Sequence, residues 1–237
     1  MSFNPADNIQ DLQNFGEFGG VNPSISDSST YTFMAAKTMA DTFEGNTDGC
    51  HLYSRHTTPS NLCLGEALAA MEGTETANVS ASGMGAITPV LLQLCGAGDH
   101  IVSSRTIYGG TYAFLKNFTP RLAIQTSFVD ITNLEIVEAA ITENTKVLYC
   151  ESVSNPLLEV ANIKGLAALA KKYSLTLVVD NTFSPLSISP IQLGADVVVH
   201  SLTKFINGSS DAVGGVVCGS QEFIDQLRSV IDGACML

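Results

Sequence analysis

The sequence has no tryptophan and few charged side chains, since Asp, Glu, Lys and Arg make up 14% of its 237 residues. Basic residues are especially scarce: 11 Lys and Arg face 23 Asp and Glu, for a net charge of −12. A chain without a basic stripe cannot release the counterions of nucleic acid, so we expect no nucleic-acid partner. Hydrophobic residues make up 45%, which is usual for a globular protein with a core.

Long hydrophobic runs and paired cysteines are also missing. No run approaches the roughly 20 apolar residues of a membrane span, and the N-terminus lacks a basic segment before an apolar one, so we expect neither a membrane span nor a secretory leader. The six cysteines are scattered without a C-x-x-C pair, which in a chain of this size indicates reduced thiols and a cytoplasmic protein. The four histidines lack metal-ligand spacing, so we expect no metal.

The chain divides by composition into two parts. Residues 1–57 are rich in Asn, Ser, Thr, Gly and Asp and have few periodic apolar positions, which predicts an extended arm with a short helix over 31–43. Residues 58–237 alternate apolar, β-rich runs with helical periods, which predicts one α/β domain. Thr58 and Pro59 have the residue types of an N-cap and first helical position.

The second part predicts a mostly parallel sheet with helices on both faces, because its later strands are apolar almost throughout. The predicted strands are 77–81, 100–103, 124–129, 146–151, 176–180, 196–200 and 213–218. The predicted helices are 58–70, 85–94, 111–117, 134–141, 163–173 and 222–231. The apolar end at 233–237 has no helix stop or cap, which predicts an interior point of a longer polypeptide.

The strand at 77–81 is followed by Ser82-Gly83-Met84-Gly85. In open α/β sheets, ligands bind beyond the carboxyl ends of the strands. Glycines allow close approach of the backbone there, and a helix N-terminus offers free N–H groups to an anion such as phosphate. Glycine turns before helices are common, so a simple turn is the alternative.

Asp180 and Lys204 follow two further apolar strands. Asp180 is either a turn residue or a carboxylate that pairs with a buried cationic nitrogen. Lys204 is either a solvated strand end or a lysine that forms a Schiff base. Ser201 and Thr203 alternate with the residue between them, so both hydroxyls face one side and suit the same phosphate as Ser82. Together these groups form the layout that pyridoxal 5'-phosphate (PLP) requires.

The same stretches resemble a known family. "VVDNTF" and "LGADVVVHSLTKFINGSSDAVGG" are similar to the signature region of the Cys/Met-metabolism PLP enzymes, and the resemblance covers residues 15–237. It implies the PLP-dependent transferase fold of type I, like that of aspartate aminotransferase. "FGEFGGVNPSI", "SRHTTPSN" and "TSFVDITN" are most similar to the plant-type methionine γ-lyase branch.

The resemblance implies a role for the residues around the cofactor ring. Lys204 would bind the PLP aldehyde, and Asp180 would pair with the pyridine nitrogen. Tyr108 would stack on the ring and act as the acid toward the leaving group. Asn155 and Glu151 would lie beside the ring. Taken singly, Tyr108 is an ordinary loop tyrosine, and the last two are ordinary turn residues.

The phosphate group would bind, by the same resemblance, to the loop that Ser82 begins. Gly83 and Met84 would donate backbone N–H groups, and Ser201 and Thr203 would donate hydroxyls. All five residues would therefore bind the cofactor.

Tyr53 and Arg55 match a family stretch that reaches the phosphate of a neighbouring subunit. The arm 1–57 would thus complete the neighbour's site, and the chain would form a homo-oligomer, expected to be a dimer of dimers. Family members continue into a smaller C-terminal domain that holds the arginine for the substrate carboxylate. That domain is missing from this chain, which assigns 58–237 to the large PLP-binding domain.

The activity implied is a PLP-dependent carbon–sulfur lyase, with methionine γ-lyase as the leading expectation. Gly110 stands where bacterial lyases of this kind carry cysteine, which leaves open a γ-replacement enzyme such as O-acetylhomoserine sulfhydrylase or cystathionine γ-synthase. A truncated, non-catalytic PLP-binding module is a further alternative. A nucleotide-binding Rossmann domain is a weaker one, because a full G-x-G-x-x-G is missing after the first strand.

Overall fold

The computed structural model describes residues 3–12, 16–44 and 49–234. Residues 235–237, which belong to the apolar end, lie outside this range, as does residue 15, where the family resemblance begins. Within the described ranges, no helix is both long and apolar enough to cross a membrane. The described side chains also form no group of three or more His, Cys, Asp or Glu suited to a metal ion.

Seven strands form one sheet in the order β1-β7-β6-β5-β4-β2-β3. Only β7 runs antiparallel to its neighbours, β1 and β6, so the prediction of a mostly parallel sheet is confirmed. The carboxyl ends of the other six strands therefore share one edge. The strands are β1 (Thr76–Ser80), β2 (His100–Ser104), β3 (Gln125–Val129), β4 (Thr145–Glu151), β5 (Thr176–Asp180), β6 (Val197–Ser201) and β7 (Gly215–Gly219).

Helices cover both faces of the sheet, as predicted. One core contains Leu68, Val137 and Leu166 from three helices on one face, and the other contains Val90 and Leu227 from two helices on the opposite face. The helices are α1 (Pro5–Gln10), α2 (Ala36–Phe43), α3 (Pro59–Glu72), α4 (Gly83–Leu94), α5 (Gly109–Ala113), α6 (Leu134–Ala140), α7 (Ile163–Tyr173) and α8 (Gln221–Ala234).

Side-chain caps start the two helices that lead toward β1 and away from it. Thr58 Oγ1 accepts a hydrogen bond from Asn61 N at 3.1 Å, with Pro59 at the first helical position of α3. Ser82 Oγ accepts from Gly85 N at 2.9 Å and caps α4. Each bond satisfies an amide that the first helical turn leaves unpaired.

Several elements differ from the predictions, and three of these differences have a local cause or change the type of element. The arm contains α1, which was not predicted; Asn4 caps it, and Asn8 Nδ2 donates to Ala70 O of α3 at 3.2 Å. The strand predicted from residue 213 begins at Gly215, because Gly214 N bonds to a side chain instead of to the sheet. The helix predicted over 111–117 begins at Gly109 and changes after Ala113 into a π-helical turn, Phe114–Phe118.

Candidate functional site

A cavity of about 930 Å³ opens at the carboxyl edge of the sheet, between the N-terminus of α4 and the segment that follows β6. It lies where open α/β sheets bind their ligands. Its lining includes every site residue predicted from the sequence except Tyr53 and Arg55. The predicted residues that line it are Ser82, Gly83, Met84, Tyr108, Glu151, Asn155, Asp180, Ser201, Thr203 and Lys204.

Gly83 lets the first turn of α4 lie directly against the end of β6. A Cβ atom at this position would lie 2.7 Å from Ser201 Cβ and 2.8 Å from its Oγ, which is too close for any other residue without movement. The N-terminus of this 12-residue helix offers amide groups and the positive end of its dipole to the cavity. This part of the site therefore suits an anion such as a phosphate group.

Asp180 ends β5 as a buried carboxylate, with 6% of its surface exposed. Its Oδ1 accepts from Thr182 N at 2.9 Å, and the Tyr149 hydroxyl donates to Oδ2 at 3.4 Å. Burial raises the pKa of this carboxyl, while the bonds from Thr182 and the charge on His200 oppose the rise. No lysine or arginine forms a salt bridge with it in the described part of the chain. The cavity thus offers a buried carboxyl group whose ionised form a cationic ligand atom would stabilise.

Glu151 ends β4 and accepts hydrogen bonds from two different loops. Tyr108 N donates to Oε1, and Asn155 N donates to Oε2 at 2.9 Å. Burial, with a smaller contribution from the charge of Asp180, raises the pKa of this carboxyl to about 7. Glu151 therefore holds two predicted site residues through their backbone.

Lys204 lies in the turn that follows β6, and its side chain is exposed at the cavity. The turn is closed by Lys204 N, which donates to Ser201 O at 3.2 Å, and by Gly208 N, which donates to Lys204 O at 2.9 Å. Thr203 lines the same wall, but its hydroxyl accepts from Gly214 N at 3.1 Å and donates to Gly214 O at 3.3 Å. Both hydrogen bonds of its hydroxyl therefore go to Gly214, the residue directly before β7.

Tyr108 stands at the mouth of the cavity, 48% exposed, and precedes the first residue of α5. Its ring lies over Gly110, where an added Cβ atom would come within 2.5 Å of Tyr108 Cε1. The glycine therefore provides the space in which the tyrosine ring lies.

Tyr53 and Arg55 lie outside this cavity. The guanidinium carbon of Arg55 lies 5.6 Å from the centre of the Tyr53 ring. Arg55 lines a separate cavity of about 580 Å³, beside β1 and α8. A single chain therefore does not bring these two residues to the predicted site.

Several residues of the site were not predicted. Tyr149 lies two residues before Glu151 on the same face of β4, and that spacing would have pointed to it. Thr182 holds Asp180 and also accepts from Ser201 N at 2.7 Å, a contact between separate strands with no local sequence signal. Phe183 and Phe205 meet edge to face at the cavity wall, with ring centres 5.2 Å apart.

Comparison with known proteins connects this site to characterised sequences. Residues 7–235 match the family model described as Cys/Met metabolism PLP-dependent enzyme. The chain is 48% identical to a methionine gamma-lyase of Arabidopsis thaliana over 98% of its own length and 54% of that protein. It is 41% identical to an O-succinylhomoserine sulfhydrylase of Pseudomonas aeruginosa over 86% of its length and 50% of that protein. The chain thus spans about half the length of the curated relatives it matches.

A solved structure confirms the fold. A protein of Campylobacter jejuni named as an O-acetylhomoserine (thiol)-lyase matches with a TM-score of 0.87 and 31% identity, over 95% of this chain and 56% of that one. That structure carries an N'-pyridoxyl-lysine-5'-monophosphate residue. The fold is that of the PLP-dependent enzymes of fold type I, as the resemblance implied.

Proposed function

Because the chain belongs to the Cys/Met metabolism PLP-dependent enzyme family, we propose that it is the cofactor-binding part of a carbon–sulfur lyase that acts on L-methionine. The products would be methanethiol, 2-oxobutanoate and ammonia, with one water consumed. The observation that carries the proposal is the presence of Asp180, Lys204 and the start of α4 around one cavity. Relatives named methionine gamma-lyase support the substrate.

The residues around the cavity fit the three functional parts of PLP. The close packing at Gly83 makes a cradle of helix amides that suits its phosphate. The buried carboxyl group of Asp180 forms no salt bridge with a lysine or arginine among the described residues and suits a protonated ring nitrogen. Lys204 supplies an exposed amine beside them for the aldehyde. When bound, PLP supplies an electron-accepting ring for the bond that breaks at the substrate Cα.

The chain's own side chains would then move protons. The Nζ atom of Lys204 would take the proton from Cα, and the loss of a second proton from Cβ would supply the electron pair that breaks the Cγ–S bond. Asp180 would hold a proton on the ring nitrogen by staying ionised. The hydroxyl of Tyr108, at the cavity mouth, would donate a proton to the departing sulfur. Phe183 and Phe205 would exclude water around an apolar thioether.

A γ-replacement enzyme acting on an O-acylated homoserine is the second candidate. It is supported by the relative named O-succinylhomoserine sulfhydrylase and by the similar structure named O-acetylhomoserine (thiol)-lyase. It would share the binding residues and differ in releasing a carboxylate and taking up a thiol or sulfide. Gly110 is compatible with either activity.

We also propose that residues 1–57 act as an arm on a neighbouring subunit and that 58–237 form the large PLP-binding domain. Tyr53 and Arg55 lie away from their own cavity, as a role across subunits requires. Arm side chains Phe18, Ile25 and Met34 are almost fully exposed, which supports burial against another copy of the chain. We propose a dimer of dimers in the cytoplasm, and the two observations support the contact between subunits.

Product analysis separates the candidates. The 237-residue chain is incubated with PLP and either L-methionine or O-acetylhomoserine plus sulfide, and methanethiol, 2-oxobutanoate and homocysteine are measured. A methionine lyase releases methanethiol and 2-oxobutanoate in equal amounts. Homocysteine formation without methionine breakdown would assign the replacement activity instead. PLP binding without turnover of either substrate would assign a non-catalytic binding module.

A further inference from the structure

Below the floor of the cavity, on the opposite face of the sheet, two ionisable side chains are paired and fully buried. His200 Nε2 lies 2.6 Å from Glu72 Oε1, and the two side chains are 0% and 2% exposed. Asn181 Nδ2 donates to the same oxygen at 3.1 Å. None of these three residues lines the cavity, and none takes part in the proton transfers proposed above.

His200 and Asn181 are joined through the backbone to site residues. His200 directly precedes Ser201, and Asn181 directly follows Asp180. Because successive side chains of a strand point to opposite faces, this network holds the strand ends from the side opposite the cavity. Asn181 Oδ1 also accepts from Ser152 Oγ at 2.7 Å, and Ser152 follows β4. The ends of β4, β5 and β6 therefore meet in one buried network.

Glu72 uses only one of its carboxyl oxygens in this network. Oε1 binds both His200 and Asn181, while Oε2 has no hydrogen-bond partner in the described part of the chain. An apolar side chain of similar size would fill the space without the cost of burying a carboxyl group. Packing alone therefore does not account for Glu72, whereas an acceptor at Oε1 does.

Two backbone N–H groups beside the network donate hydrogen bonds that connect the segment after β5 with β6. Asn181 N donates to Val199 O at 2.9 Å, and Ser201 N donates to Thr182 Oγ1 at 2.7 Å. Both lie next to the cavity. The exchange rates of these two amide hydrogens therefore report how firmly the strand ends are held.

We propose that Glu72 is a positioning residue of the cofactor site. Its Oε1 atom, through His200 and Asn181, fixes the ends of β5 and β6 so that Asp180 and Ser201 keep a constant relation across the cavity. The inference rests on the proposed function for the identity of the ligand, PLP. The network fixes the strand ends whether or not a ligand is bound.

Glu72→Met removes the acceptor while keeping a side chain of similar length. It leaves His200 Nε2 without its partner and removes one of the two acceptors of Asn181 Nδ2, which keeps Ile188 O at 2.9 Å. We therefore expect exchange of the Asn181 and Ser201 amides, measured without PLP, to accelerate about tenfold or more. The Kd for PLP, measured by visible titration, rises about tenfold for the same reason. Glu72→Gln keeps an acceptor at Oε1, but its amide nitrogen replaces Oε2, which has no hydrogen-bond partner among the described residues. We therefore expect a lower free energy of unfolding, while the amide exchange normalised to that free energy and the Kd for PLP stay within about threefold of the unmodified chain.

Leu166→Ala is the matched control, because Leu166 is fully buried in the core on the same face and lies on α7, away from the network. With exchange rates normalised to the free energy of unfolding, equal behaviour of Glu72→Met and Leu166→Ala would overturn the positioning role. If Glu72→Met does not fold, Glu72→Gln decides: a change beyond about threefold in either quantity overturns the proposal, and a smaller one supports it. Failure of the unmodified chain to bind PLP would refute the proposed function, while the two amides would still test the positioning role.

Discussion

Glu151 and Asp180 lie side by side at the carboxyl ends of β4 and β5, in direct register, and both carboxyl groups are buried. Because the two carboxyl groups are neighbours and are both buried, ionisation of one opposes ionisation of the other. Both line the cavity, but their partners differ: Glu151 accepts from the backbone N–H groups of two loops, whereas Asp180 accepts from Thr182 N and from the Tyr149 hydroxyl. Burial raises the pKa of both carboxyl groups, that of Glu151 to about 7.

Glu151→Gln should flatten the pH dependence of stability. In the folded chain the pKa of Glu151 is raised from 4.5 to about 7, so the folded state binds this proton more tightly than the unfolded state. The free energy of unfolding therefore falls as pH rises from about 4.5 to about 7, by up to about 3 kcal/mol from this group. Urea unfolding across that interval measures the slope, and the variant lacks this component.

The exposed Glu135 supplies the control for this measurement. Glu135→Gln removes a carboxyl group at the start of α6, and the slope of the unmodified chain should persist. A slope that Glu151→Gln leaves unchanged would show that another group is responsible.

Gly110→Ala should lower activity without lowering stability. The added Cβ atom would meet the Tyr108 ring at 2.5 Å, and this half-exposed ring can turn away, which misplaces its hydroxyl. We expect kcat to fall about tenfold or more, while the free energy of unfolding holds or rises by about 0.5–1 kcal/mol because alanine favours helix over glycine. Steady-state kinetics and urea unfolding measure the two effects.

Gly109→Ala is the matched control in the same helix. A Cβ atom there has no neighbour within 4 Å, so it carries the helical gain without the contact to Tyr108. Equal losses of kcat in both variants would mean that the position of Tyr108 does not matter.

Most of the fold follows from local sequence patterns. The apolar, β-branched run at Thr176–Asp180 and the periodic run at Ile163–Tyr173 have the bounds predicted for them. The antiparallel direction of β7 cannot be predicted from its sequence, because an apolar pattern is the same for either direction and the pairing depends on residues distant in the chain. The helix α1, which begins after Asn4, was not predicted because it lies in a polar segment with few periodic apolar positions.

The site follows from the sequence where residues come directly after strands. Asp180 and Lys204 meet in one cavity because parallel strands end at one edge. Glu72 and His200 are 128 residues apart, and no local pattern joins them. The use of the Thr203 hydroxyl by Gly214 was also hidden, because it depends on the path of the segment before β7.

Asp180→Asn should abolish most turnover while leaving the fold intact. The amide carries no charge and cannot keep a proton on a ligand ring nitrogen, so we expect kcat for L-methionine to fall about a hundredfold or more. Stability should hold or rise, because a buried carboxylate without a salt bridge is removed. Asp130→Asn, at the end of β3, is the control and should retain turnover. Equal activity in the two variants would contradict the role of Asp180 toward the ring nitrogen.

Chemical trapping of PLP on Lys204 tests the assignment of this cavity most directly. The chain is mixed with PLP, reduced with borohydride, digested and analysed by mass spectrometry for the pyridoxyl phosphate label. Lys204 lines the cavity, whereas Lys146 is exposed on β4 away from it, so we expect the label on Lys204 and its loss in Lys204→Ala. Label spread evenly over surface lysines, or retained in full by Lys204→Ala, would contradict the assignment.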